Sequence, residues 1–151
     1  MPFTIDTPTA ADRPRLLEVW EAAVRATHHF LAEEDILFYR RMLGEQYLDL
    51  VKLSCLRDAD GSVPGFAGTA EDRLEMLFVD PEQHSRGLGK ALLRHAIERD
   101  GVRFVDVNEQ NPGALAFYLS QGFERIGRSA LDGDGRPFPL IHLQLRNSQQ
   151  P

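Results

Sequence analysis

Two stretches of this 151-residue chain carry residue types that chemistry could use. The first runs Leu77-Phe78-Val79-Asp80-Pro81-Glu82-Gln83-His84-Ser85-Arg86-Gly87-Leu88-Gly89-Lys90. Gly87 and Gly89 have no Cβ, so backbone there can approach an anion closely. The unpaired N–H groups of a helix start would point at that anion. Arg86, Lys90 and Arg94 are expected on one helical face at four-residue spacing and could add positive charge beside a phosphate. Other phosphate loops fit badly. A Walker A loop needs four residues between its glycines, where here only Leu88 intervenes, and a Rossmann fingerprint wants glycine where Leu92 stands. The plainer alternative is a glycine-rich helix start with a solvated basic stripe.

The second stretch is Asn111-Pro112-Gly113-Ala114-Leu115-Ala116-Phe117-Tyr118-Leu119-Ser120-Gln121-Gly122-Phe123. Ala114 and Tyr118 are neighbours four apart on one helical face, so a small residue leaves space beside the phenol. A phenol with an ordinary pKa near 10 stays protonated at neutral pH and could donate its proton. A core tyrosine packing its helix onto a sheet is the plain alternative.

The elements that must position these residues follow from periodicity. Phe3–Asp6 reads as a short strand. Residues 11–26 have Leu16, Leu17, Trp20, Ala23 and Val24 on one helical face, and residues 33–49 predict a second helix. Strands are expected at 50–57, near 63–69 and at 74–79, with Asp58-Ala59-Asp60-Gly61 as a hairpin turn. A helix over about 87–99 ends at Gly101, and Phe104–Val107 is the next strand. Asn111 caps a helix whose first residue is Pro112, ending near Gly122. Strands near 123–128 and 139–145 complete an α/β sheet with helices on both faces.

Composition narrows the function. The length fits one domain spanning residues 1–151, and 42% hydrophobic with 26% charged residues is a globular balance. The net charge of −6 lies wholly in residues 1–75, which hold 14 acidic and 8 basic side chains. Neither half has the basic footprint of a nucleic-acid or anionic-membrane binder. Cys55, the single cysteine, predicts a buried thiol and excludes an internal disulfide. With no signal-peptide pattern and no apolar run near the ~18–20 residues that span a bilayer, a cytoplasmic setting is expected. His28 and His29 are adjacent and point in different helical directions, so no metal site is expected.

Taken together, Arg86-Gly87-Leu88-Gly89 after Leu77-Phe78-Val79, then Asn111 to Phe123, resemble the GNAT superfamily of acetyl-CoA-dependent N-acetyltransferases. The two motifs cover about residues 74–128. More narrowly, Ala26-Thr27-His28-His29-Phe30-Leu31, Val107-Asn108-Glu109-Gln110-Asn111 and Gly135-Arg136-Pro137-Phe138-Pro139-Leu140 resemble the small bacterial YjaB-type acetyltransferases. There is one departure: His84 stands where the family's phosphate motif has Gln or Arg, with Gln83 one place earlier. The resemblance implies the GNAT acyl-CoA N-acyltransferase fold, a mixed sheet of about six to seven strands flanked by about four helices.

It also implies acetyl-CoA as co-substrate, held between two splayed central strands, and direct attack by a primary amine, a lysine side chain or small amine. Backbone at Leu77 and Val79 would hold the pantetheine arm. His84, Ser85, Arg86, Gly87, Leu88, Gly89 and Lys90 would bind pyrophosphate, chiefly through backbone. Asn111 and Phe117 would contact the arm from the other side, and Tyr118 aligns with the tyrosine that protonates the departing thiolate. The general base is open among Glu75, His28 and Asp106, taken in that order. Alternation along the strand would put Glu75, Leu77 and Val79 on one face, His28 titrates in a useful range, and Asp106 aligns with a base in some family members. The plain alternatives are solvation for Glu75, helix capping for His28 and an ion pair with Arg103 for Asp106. Asn108, with His28, would contact substrate; His142 reads as a half-buried strand residue. Monomer and homodimer both fit, and a non-catalytic acyl-CoA sensor on the same fold is the rival. The acidic first half, with Glu33, Glu34 and Asp35 between its helices, would draw a cationic amine.

Overall fold

Helices that each bury one side cover both faces of a seven-stranded sheet, whose inner strands are largely buried. The computed structural model describes residues 3–83 and 86–146. In chain order the elements are β1 (Phe3–Asp6), α1 (Arg13–Thr27), α2 (Glu33–Glu45), β2 (Lys52–Asp58), β3 (Gly65–Ala70), β4 (Arg73–Val79), α3 (Leu88–Asp100), β5 (Phe104–Asn108), α4 (Pro112–Ser120), β6 (Phe123–Ser129) and β7 (Leu140–Leu145). The sheet order is β1-β2-β3-β4-β5-β7-β6, with β4 and β5 parallel and the other neighbours antiparallel. This is the element order expected from the periodicity and the mixed sheet implied by the family resemblance.

Each face of the sheet has its own core. On one face, α3 buries Leu88, Leu92, Leu93 and Ala96, and α4 buries Tyr118, against Val105, Val107, Ile141 and Leu143. On the other, α1 buries Leu16, Val19, Trp20 and Val24, and α2 buries Ile36 and Leu43, against Cys55, Phe66 and Met76. Cys55 is thus the buried thiol expected. Val19, absent from the expected apolar face of α1, is fully buried, while Ala23 is only half-buried.

Local signals set the ends of the two helices that matter for the site. Gly87 precedes α3 at φ +74° and Gly101 follows it at φ +69°, both in the left-handed region that a Cβ disfavours. Asn111 caps α4, its Oδ1 accepting from Ala114 N–H at 3.2 Å, with Pro112 in the first turn. The second helix is shorter than its pattern suggests. It ends at Glu45 after Gly44, a weak helix former, and a short 3-10 turn over Tyr47–Leu50 buries Leu48.

Candidate active site

The sheet opens where its two central strands part. β4 pairs with β5 only at Arg73–Phe104 and Leu74–Val105. Beyond that point β4 is irregular: Thr69 of β3 faces Leu74, but Gly68 faces Met76, so Glu75 is an extra residue in a β-bulge. A bulge bends its strand and re-aims a side chain. From Glu75 to Val79, therefore, the β4 edge towards β5 has no strand partner among the described residues. A cavity of about 130 Å³ fills the gap, lined by Glu75, Leu77, Asp106, Asn108, Asn111 and Tyr118, among others.

The bulge corrects the expected alternation. Leu74, Leu77 and Val79 pack with the core under α3 and α4, whereas Met76 and Phe78 pack with that under α1 and α2. Glu75 does not share a face with Leu77 and Val79. It lines a second cavity of about 480 Å³, together with Met76, Phe78, Trp20, Val24 and His28. The two cavities meet at His28, Glu75, Met76, Phe78 and Asn108.

Beside the cleft, α3 presents its N-terminus. No described residue beyond its chain neighbours lies within 4 Å of where a Cβ on Gly87 would stand. A Cβ on Gly89 would lie 3.7 Å from Phe117 Cζ and 4.0 Å from Val79 Cγ2, so Val79, Gly89 and Phe117 converge. His84 and Ser85 lie outside the described residues. Arg86 precedes the helix instead of sharing its face with Lys90 and Arg94. Its guanidinium donates to both oxygens of Asp58, at 2.8 and 3.2 Å, and to Gln83 Oε1 at 2.9 Å. Lys90 and Arg94 are exposed and form no ion pair with a described residue.

The titratable groups have distinct surroundings. Tyr118 is buried, its hydroxyl makes no hydrogen bond to a described residue, and burial pushes its phenol above the ordinary range. Partial burial also raises Glu75; Arg73, with Nε 3.9 Å from Oε1, opposes that shift, and the nearby Asp106 carboxylate adds to it. Glu75 is 40% exposed, so it remains in contact with water. Burial, aided by His29, lowers His28 to about 4. The expectation that His28 titrates usefully near neutrality is therefore corrected: its imidazole stays neutral until well below pH 6.5. His28 terminates α1, and its Nδ1 lies 2.7 Å from Thr27 Oγ1.

Asp106 does not pair with Arg103, whose guanidinium instead donates to the Leu145 carbonyl at 2.9 Å. Its Oδ1 takes Arg73 Nη1 at 3.2 Å and His142 Nδ1 at 2.6 Å. Asn108 Oδ1 accepts from Gln110 N–H at 3.0 Å, and Asn111 Oδ1 is occupied by its helix cap.

The acidic residues between the first two helices are largely neutralised: Glu33 pairs with Arg25 and Asp35 with Arg136. The carboxylates that do line the larger cavity, besides Glu75, are Asp132 and Asp134 on the β6–β7 loop. They accept from the Tyr39 and Tyr47 hydroxyls. Neither aspartate was legible as a site residue, because Asp132-Gly133-Asp134-Gly135 has the composition of an ordinary surface turn. Among the described residues, no cluster of three or more His, Cys, Asp or Glu could hold a metal ion. No helix among them is long and apolar enough to cross a membrane.

Residues 52–125, which include β4, the α3 start and α4, match the family described as acetyltransferase (GNAT) domain. The peptidyl-lysine N-acetyltransferase YjaB of Salmonella typhimurium is 36% identical over 133 residues, covering 85% of this chain and 88% of its own. This chain belongs to the GNAT acetyltransferases. The Escherichia coli protein of the same name is 34% identical over 131 residues, 85% of this chain and 86% of its own. The apo-form solution structure of YjaB from Escherichia coli superposes with a TM-score of 0.87 at 29% identity, covering 98% of this chain and 100% of that one. A Thermoplasma acidophilum PaiA N-acetyltransferase solved with coenzyme A shares the fold, with a TM-score of 0.76 at 22% identity over 97% and 100% of the two chains. As a GNAT N-acetyltransferase, the protein uses acetyl-CoA as co-substrate. Its geometry fits that molecule: an unpaired strand edge faces a cleft, and an open glycine turn leads a helix N-terminus beside it.

Proposed function

We propose that this enzyme acetylates the side-chain amine of a lysine within a polypeptide. The observation that carries this reading is the junction of the two cavities at Glu75. The larger cavity has apolar walls from Trp20, Val24 and Met76, suited to a lysine's methylene stem, and a carboxylate where the stem would end. The smaller one opens from that carboxylate towards Tyr118. The two YjaB relatives, named as peptidyl-lysine acetyltransferases, support the same acceptor.

Acetyl-CoA supplies an electrophilic thioester carbonyl and a thiolate leaving group. The free β4 edge at Leu77 and Val79 holds the pantetheine arm, with Phe117 and Asn111 against its other side. Backbone N–H groups around Gly87, Leu88, Gly89 and Lys90 bind pyrophosphate, with Lys90 adding charge. Arg86 contributes backbone, since its side chain is tied to Asp58. Glu75 removes a proton from the lysine ammonium, and burial makes it a stronger base than an ordinary carboxylate. The freed amine forms the N–C bond as the C–S bond breaks, Tyr118 gives its hydroxyl proton to sulfur, and the proton then lost from the acylated nitrogen returns through water to the phenolate. Neutral His28 and Asn108 contact the acceptor. The test is free-thiol release with lysine peptides and small amines as acceptors. Turnover confined to small amines would refute the lysine assignment.

A further inference from the structure

A line of hydrogen bonds crosses three neighbouring strands beside the cleft. Asp106 on β5, His142 on β7 and Ser129 on β6 face the same side of the sheet, and the His142 imidazole bridges the other two. Nδ1 lies 2.6 Å from Asp106 Oδ1, and Nε2 lies 2.6 Å from Ser129 Oγ. Against an ionised Asp106, the bridging proton belongs on Nδ1, which leaves Nε2 to accept from the Ser129 hydroxyl. Arg73 Nη1 donates to the same Asp106 oxygen. Both ties fall on Oδ1, so Oδ2 has no hydrogen-bond partner among the described residues.

The order of residues is that of a Ser-His-Asp triad, but its ends are reversed with respect to the cleft. Asp106 lines the cavity beside Glu75 and Tyr118, while Ser129 lines neither cavity. The serine therefore lies away from the reacting acetyl group, and the arrangement does not support an acyl-enzyme. It does support a carboxylate held still. Asp106 is half-exposed on a strand and would otherwise sample several rotamers; anchored through one oxygen, it presents the other at reduced entropic cost to a ligand.

We propose that Asp106 Oδ2 docks the acceptor's ammonium, and that His142 and Ser129 are positioning residues that hold this oxygen in the cleft. The proposal rests on the lysine-acceptor reading above and divides labour between two carboxylates. Asp106, tied to Arg73 and His142, anchors the cation. Glu75, with only a distant contact to Arg73, is free to move and take the proton.

The experiment compares two peptides on the full-length enzyme saturated with coenzyme A, one carrying lysine and the other norleucine at the same position. Affinities are measured by calorimetry, and turnover of the lysine peptide is measured with acetyl-CoA. His142→Leu should weaken the lysine peptide about tenfold in both Kd and KM, the scale of a disturbed charge-assisted contact. It should leave norleucine-peptide and acetyl-CoA affinity unchanged. His142→Asn, which keeps a donor towards Asp106, should recover most of the loss. Ser129→Ala, a small change on a half-buried strand end, should shift the lysine peptide in the same direction by a few-fold. A native enzyme that turns over lysine peptide, together with a His142→Leu variant of unchanged KM, would overturn the positioning role alone. So would equal weakening of both peptides. A native enzyme that binds acetyl-CoA but neither binds nor acetylates the lysine peptide would overturn the acceptor reading and this proposal with it.

Discussion

Arg86 Nη2 lies 2.8 Å from Asp58 Oδ1, fastening the turn before α3 to the end of β2. The two side chains are only 23% and 19% exposed, and the contact is bidentate, so it is stronger than a typical surface ion pair. The pair holds the approach to Gly87, where the anion site is proposed, and spends the Arg86 charge on structure.

Asp58→Asn should therefore loosen this turn. The expected result is a several-fold higher KM for acetyl-CoA, an unchanged KM for acceptor and a stability loss of about 1 kcal/mol at pH 7. Arg86 holds the Asp58 carboxyl below its ordinary 3.8. A lowered carboxylate pKa contributes stability above the unfolded value and loses it as pH falls through the folded one. The gap in denaturation midpoint between native enzyme and variant should thus close below about pH 3.8. A gap of constant size down to pH 2.5 would show that the ion pair is not its source.

Tyr118→Phe should lower kcat by about 100-fold while leaving acetyl-CoA affinity intact, within the usual contribution of a general acid. Its hydroxyl bonds no described residue, so stability should change little. Because burial raises the phenol, no loss of rate from Tyr118 ionisation should appear up to pH 10. Retained turnover in the variant would remove Tyr118 as the proton donor.

Glu75→Gln should abolish the rise of kcat/KM on the acid side of the pH profile. The carboxyl titrates above its ordinary 4.5, so the native profile should rise at a pH above that value. Since burial disfavours the Glu75 carboxylate, the variant should fold with a stability within about 0.5 kcal/mol of native at pH 7. An unaltered pH profile would move the base elsewhere.

His28→Gln tests the neutral histidine. The unfolded chain takes up this proton near 6.5, but the folded one only near 4. Unfolding therefore gains a proton between those values, and native stability should decline as pH falls from about 6.5 towards 4. The variant should have a shallower decline, read from denaturation midpoints across that window. A histidine resonance that titrates near 6.5 in the folded enzyme and disappears in the variant would contradict the burial argument.

The features that were readable in the chain are those decided within a few residues. The Asn111-Pro112 start of α4, Gly87 before α3 and Gly101 after it all rest on local backbone preference, and the structure has them where the pattern put them. Strand and helix order followed from apolar periodicity for the same reason. The bulge at Glu75 was invisible, because it exists only relative to β3: two residues of one strand oppose one of the other. Alternation counted along β4 alone consequently assigned Glu75 to the wrong face.

The partners of charged groups were likewise out of reach. The sequence offers Asp106 a partner in Arg103, three residues away, but its partners are Arg73 and His142, which arrive from other strands. Glu33 and Asp35 suggested an attractive field for a cation, yet each is matched by an arginine.

By itself, then, the sequence determined the residue types at the glycine turn, the helix caps and the family to which the chain belongs, since these depend on short-range sterics and on local motifs. The tertiary structure decided which side of the sheet Glu75 serves, which arginine is spent on Asp58 and which oxygen of Asp106 takes Arg73 and His142. Those outcomes depend on strand register and on side chains far apart in the chain, where a shift of one residue turns a side chain to the opposite face.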